Sequence, residues 1–295
     1  MNSVETLTDK GRTKLRLPAW AGIPLFFILF VGFLMLATVP IKLVHDDMWI
    51  EFFAMAAQVV VIALASFILC RIEGRPMSDL GFSFRGRMKD VAWGLAFAVV
   101  IYGIALGFGL GVGTIELTGF RFDASELLFL FLFYILVAVG EEMMFRGYIL
   151  SRLLHTRMNR FAALFLTSAL FAALHLFNPG ISVLSFVNLV LAGLLLGASY
   201  LYTHNLAFPI SLHLFWNWLQ GPVLGYEVSG QEFGQSMLTQ RLPVENVWNG
   251  GAFGFEGSIP CTLLVLAGIA LIICWGERRE RQRAVTAEPP QPYSS

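Results

Sequence analysis

The chain has 295 residues, of which 57% are hydrophobic and 14% charged, with 20 basic and 20 acidic side chains and a mean hydropathy of +0.70. A soluble domain carries about a quarter charged residues, so this composition excludes an ordinary soluble fold and points to a bundle that crosses a membrane repeatedly. Neutral net charge leaves no basic face to neutralise phosphates, which argues against nucleic acid as a partner.

In chain order, Lys10, Arg12, Lys14 and Arg16 precede an apolar run over 18–41. About twenty apolar residues span a bilayer, so this run is expected to be a retained first helix rather than a cleaved signal, with 1–17 as a cytoplasmic tail. Further apolar runs at 51–70, 91–113, 125–157, 161–178, 181–202, 206–220 and 258–275 predict eight helices, with seven as the alternative. They divide into three N-terminal helices over 18–113 and a helix bundle over 125–276. Arg71, Arg75, Arg85, Arg87 and Lys89, then Arg152, Arg157 and Arg160, then Arg278, Arg279, Arg281 and Arg283 all fall on the N-terminal side when eight spans are threaded. The positive-inside rule therefore predicts a multi-pass membrane protein with both termini cytoplasmic.

Gly103, Gly107 and Gly111 form a stripe on the third helix, and Gly193 with Gly197 repeat the spacing on the sixth. Both are expected to admit a neighbouring backbone closely. Cys70, Cys261 and Cys274 lack metal-ligand spacing and support no disulfide framework. Residues 277–295, rich in charge and then in Pro, Gln and Ser, are expected to be a disordered cytoplasmic tail.

Ionisable groups inside a membrane cost roughly 2.5 to 3.5 kcal/mol each on insertion scales, so those that occur are functional candidates. Glu141 and Glu142 are adjacent on the fourth helix. Glu142 and Arg146 are four apart and share a face, so an ion pair is expected there, whereas Glu141 points about 100° away and stays available. His175 ends the run Phe171-Ala172-Ala173-Leu174-His175 on the fifth helix, and His213 and Asn217 are co-facial on the seventh. Glu141 and His175 are at nearly equal helical depth from the turn that joins their spans, roughly 23 Å along each helix. His213 lies only eight residues beyond Asn205, so its span must begin deeper or tilt to join them.

Glu-Glu-x-x-x-Arg at 141–146, Phe-x-x-x-His at 171–175 and His-x-x-x-Asn at 213–217, in that order on separate apolar spans, resemble the CPBP family of CAAX-processing and bacteriocin-processing intramembrane proteases. The resemblance covers about the second half of the chain. It implies an all-α polytopic bundle of about eight transmembrane helices around a membrane-embedded catalytic cavity, opening toward the cytoplasm. It places the catalytic unit in 125–276, and the expected setting is a bacterial plasma membrane.

By the same resemblance, Glu141 with His175 activates water, His213 with Asn217 stabilises the oxyanion, and Glu142 with Arg146 holds the site in register. A metal-free glutamate mechanism is favoured. The alternative is zinc held by Glu141, His175 and His213, a donor set of the kind zinc accepts, but no His-Glu-x-x-His helix occurs. The absence of Gly-x-Ser-Gly and of Gly-x-Gly-Asp removes the serine and aspartyl intramembrane classes. Expected partners are a peptide or lipidated protein substrate and membrane lipid. Rival readings are a catalytically silent immunity or scaffold protein, and a proton-coupled transporter using the same Glu and His groups.

Overall fold

The computed structural model describes residues 6–9, 12–15, 17–232 and 234–286. Its eight main helices fall on the eight expected apolar runs. They are α1 (Ala19–Ala37), α2 (Asp47–Glu73), α3 (Met88–Gly111), α4 (Ala124–Leu154), α5 (Arg160–Ala173), α6 (Val183–Thr203), α7 (Ala207–Trp218) and α8 (Ile259–Thr286). Six of them are long and apolar enough to cross a membrane, which makes the chain an all-α, multi-pass membrane protein. The two short helices, α5 and α7, belong to the second and third motifs. Two small antiparallel pairs accompany the bundle: β1 (Thr6–Asp9) with β2 (Arg12–Leu15), and β3 (Glu116–Phe120) with β4 (Leu238–Arg241).

Local sequence sets the helix ends. Asp46 accepts from the backbone N–H of Trp49 at the start of α2, and Gly74, at φ 70°, closes it in the left-handed conformation. Asp123 caps α4, Asn159 caps α5, and Ser182 with Ser185 forms a capping box on α6. Two stretches wind more loosely, as π-helix, at Met143–Leu150 within α4 and at Leu219–Val223 after α7. The first begins inside the Glu-Glu-x-x-x-Arg motif and carries Arg146, and the second begins two residues after Asn217. Single π-turns inside α-helices are frequent at functional sites.

One end of the bundle is stapled by ion pairs. Arg152 donates from Nε to Glu73 at 2.8 Å and also reaches the carbonyl of Leu17. Arg75 donates to Ser151 at 2.7 Å, and Arg160 pairs with Glu277 and Glu280 at 2.5 and 2.9 Å. The arginines of the α2, α4, α5 and α8 ends therefore gather at the same end of the molecule. The last pairs extend α8 to Thr286, so the expected tail is helical over 277–286 rather than disordered. The remainder, 287–295, lies outside the described residues.

The glycine expectations divide. A Cβ on Gly193 would lie 2.8 Å from the Cβ of Ser168, and one on Gly197 would lie 2.5 Å from Leu164, so α6 seats directly on α5. Gly103, Gly107 and Gly111 have nothing within 4 Å, so the α3 stripe admits no backbone among the described residues. The close approach on α3 occurs instead at Gly94, where a Cβ would sit 2.7 Å from the backbone N of Leu212 on α7.

Candidate functional site

Glu142 is fully buried and Arg146 nearly so, at 0% and 1% side-chain exposure. Arg146 donates from Nη1 to Glu142 Oε1 at 2.8 Å and from Nη2 to the Gly193 carbonyl at 3.0 Å, and its guanidinium lies 4.9 Å from the centre of the Phe171 ring. The expected pair therefore exists, but Glu142 does more than hold Arg146. The same Oε1 receives His213 Nδ1 at 2.9 Å. Its other oxygen, Oε2, is buried without a partner among the described residues. Glu142 thus turns the His213 ring so that Nε2 points away, to 3.9 Å from Glu141 Oε2.

Sequence spacing left the placement of His213 open, and the structure places it by starting α7 inside the bundle. Asn205 and Leu206, just before the helix, are buried. Asn205 accepts from the N–H of Ala207 at 2.9 Å and donates to the Ser83 carbonyl at 2.8 Å, while Leu206 N–H bonds the Gly81 carbonyl. With its first turn satisfied internally, a twelve-residue helix only roughly 18 Å long suffices to carry His213 and Asn217 to the level of Glu141.

His175 stands in the turn after α5, which ends at Ala173 rather than near 178. Its Nδ1 lies 2.9 Å from the Phe171 carbonyl. A carbonyl only accepts, so Nδ1 carries the proton and Nε2 is left as the free lone pair. The Phe171 ring lies between the two imidazoles, with centroid separations of 4.8 Å to His175 and 6.3 Å to His213. Glu141, His175, His213 and Asn217 all border one cavity of about 470 Å³. Glu141 and His175 make no direct hydrogen bond.

Sequence reasoning missed Glu256. This buried carboxylate, on the connection between α7 and α8, borders the same cavity and accepts four hydrogen bonds. Trp216 Nε1 reaches Oε1 at 3.1 Å, while Gln220 Nε2, Ser229 N and Ser229 Oγ reach Oε2 at 3.3, 2.7 and 2.8 Å. Glu256 therefore fixes the end of α7 on both sides of Asn217. Its only sequence signal is a lone acid within a Gly and Phe run, Gly254-Phe255-Glu256-Gly257.

Asn178, Ser229, Gln231 and Glu256 border the cavity from the end of the bundle opposite the arginines, and no residue of the arginine-rich end borders it. Among the described residues, no three His, Cys, Asp or Glu side chains are grouped so as to hold a metal ion. His213 Nδ1 is taken by Glu142 while its Nε2 lies 3.9 Å from Glu141, and no hydrogen bond or ion pair joins His175 to either.

Fold and site together define a polytopic membrane protein with a carboxylate and imidazole cluster opening on an internal cavity. Within it, residues 123–219, from the cap of α4 to the end of α7, match the family model described as type II CAAX prenyl endopeptidase Rce1-like, consistent with the CAAX protease family and with an intramembrane endopeptidase of that general type. No curated protein and no solved structure matches the chain.

Proposed function

We propose that the protein hydrolyses peptide bonds of membrane-associated, prenylated or leader-type substrates with water activated by Glu141 and His175. The observation that carries this reading is the convergence of Glu141, His175, His213 and Asn217 on one cavity, each with hydrogen-bonding capacity left open toward it. Water attacks the scissile carbonyl carbon. Glu141 takes its proton, with His175 Nε2 orienting the water as an acceptor, and delivers that proton to the leaving amine as the C–N bond breaks. Asn217 and His213 donate to the oxyanion. For His213 to donate from Nε2 while Nδ1–H is spent on Glu142, the ring must hold both protons, and the two neighbouring carboxylates supply the countercharge. No step requires a metal. Both termini are assigned to the cytoplasm, so the cavity's polar end faces the opposite side.

The test is cleavage of quenched fluorogenic peptides, some prenylated, by purified protein in detergent, comparing wild type with Glu141→Gln in the presence and absence of a zinc chelator. Loss in the variant alone, with chelator inert, is expected. Loss on chelation restored by zinc would transfer the mechanism to a metal. Equal background from both proteins would leave an immunity, scaffold or transport role. A Val244→Cys residue in a Cys274→Ser background, exposed at the end opposite the arginines, should react with impermeant maleimide from outside intact cells; labelling only after lysis reverses the orientation.

A further inference from the structure

Gln58 lies in the middle of α2, a 27-residue helix whose most apolar window has a mean hydropathy of 2.5. It is the sole amide in that helix. An amide placed in an apolar setting is costly unless it is hydrogen-bonded. The buried amides around the bundle meet this requirement: Asn188 donates to the carbonyls of Glu256 and Ser258, and Gln220 to that of Glu227. Gln58 bonds no described residue and borders the cavity. Its level is set by Gly140, where a Cβ would lie 3.2 Å from Val59 and 3.6 Å from Ile62. The absence of a side chain immediately before Glu141 therefore brings α2 against α4 at the residue next to Gln58.

We infer that Gln58 contacts the substrate and holds the main chain of a peptide lying beside Glu141. This rests on the endopeptidase reading. A peptide unit carries one donor and one acceptor, and a Gln side chain offers the complementary pair. Met55, Phe133 and Val137, which border the same cavity, offer a peptide backbone no side-chain partner. Gln58 fills that gap whatever the substrate's side chains, so its contribution is to binding of the backbone and not to sequence choice.

The experiment pairs Gln58→Leu, a change of similar size that suits an apolar helix, with a substrate series in which each peptide bond flanking the scissile one is N-methylated in turn. The variant should keep the wild-type Tm and lose about 3- to 10-fold in kcat/KM, mostly through KM. At one N-methylated position wild type should fall to the level of the variant, with no further loss in the variant itself. Unchanged KM, or additive losses at every position, would overturn the proposal, as would a lowered Tm with unchanged KM. If wild type cleaves no peptide, the endopeptidase reading fails separately. Gln58 is then judged by fluorescence-anisotropy binding of a labelled amphiphilic peptide to Glu141→Gln and to the Glu141→Gln, Gln58→Leu double variant. About 3- to 10-fold weaker binding by the double variant supports the contact, while equal affinity or no binding by either overturns it.

Discussion

Buried polar groups in this bundle are of two kinds, and they lie side by side. In the cluster of Glu142, Arg146, His213 Nδ1 and the Gly193 carbonyl, nearly every hydrogen bond is made inside the protein. One helical position away, Glu141, His175 Nε2, Asn217 and Gln58 border open space and keep their capacity unspent. A group that must exchange protons or bind a transient species cannot be satisfied at rest, and the groups that orient it must be. The partition between Glu141 and Glu142 therefore follows from their 100° separation on the helix, which sends one carboxylate into packing and the other into the cavity.

This contrast can be broken from either side. The largest effect is expected at the open group: Glu141→Gln should lower kcat by about 10²- to 10⁴-fold with little change in Tm, since Glu141 accepts no hydrogen bond. Near-normal turnover in this variant would remove Glu141 from the reaction. At the closed group the effect moves to stability. Arg146→Met leaves Glu142 buried without its cation and should cost about 3–5 kcal/mol, read as a fall in Tm in detergent. Adding Glu142→Gln should recover much of that stability but not the activity, because His213 then lacks the carboxylate that turns it.

Glu256→Gln tests the clamp at the other side of Asn217. Whichever way the new amide turns, its NH₂ meets donors, either Trp216 or the Ser229 and Gln220 set. A loss of about 1–3 kcal/mol is expected, together with reduced kcat. A smaller contrast separates the two glycine sets. Gly193→Ala should destabilise by about 1–3 kcal/mol through its collision with Ser168, while Gly103→Ala should change stability by less than about 0.5 kcal/mol. The smallest effect concerns the cap of α4. Backbone N–H donation, from Glu126 foremost, holds the Asp123 carboxyl below the usual carboxylate range. A lowered folded-state pKa stabilises above the unfolded value of about 3.9 and is lost as pH falls through the folded one. Asp123→Asn should therefore flatten the acid limb of a Tm against pH curve through a small loss of Tm at neutral pH, with the two proteins converging as the carboxyl protonates.

Much of this was legible in the sequence. Apolar length marks six helices because a bilayer asks about twenty residues of any spanning segment, while the shorter α5 and α7 are marked by apolar runs bounded by polar residues. The three motifs mark the site because ionisable groups are rare in such segments. What could not be read depends on contacts between distant residues. Arg278 to Arg283 resemble a solvated tail, yet Glu277 and Glu280 answer Arg160 and keep the segment helical. Glu142 resembles a partner of Arg146 alone, because the approach of His213 requires α7 to start at a buried loop built from Ser83, Gly81 and Asn205. Gln58 carries no motif and becomes conspicuous only when its lack of a partner is seen.

The loosely wound stretch Met143–Leu150 constrains how the chain can change length. A π-turn holds one residue more than the α-turn it replaces, so removing a single residue there would let the helix close up as ordinary α without breaking it. Because the π-turn absorbs that residue locally, what lies beyond the cut would keep its face of the helix, and Tyr148, Ser151 and Arg152 would stay turned toward Glu73 and Arg75. A single residue removed from the regular part of α4 ahead of Glu141 has no such slack and would turn one side of the cut against the other by about 100°. Single-residue deletions at 143–150 should thus be better tolerated, read as Tm in detergent, than deletions at 130–138.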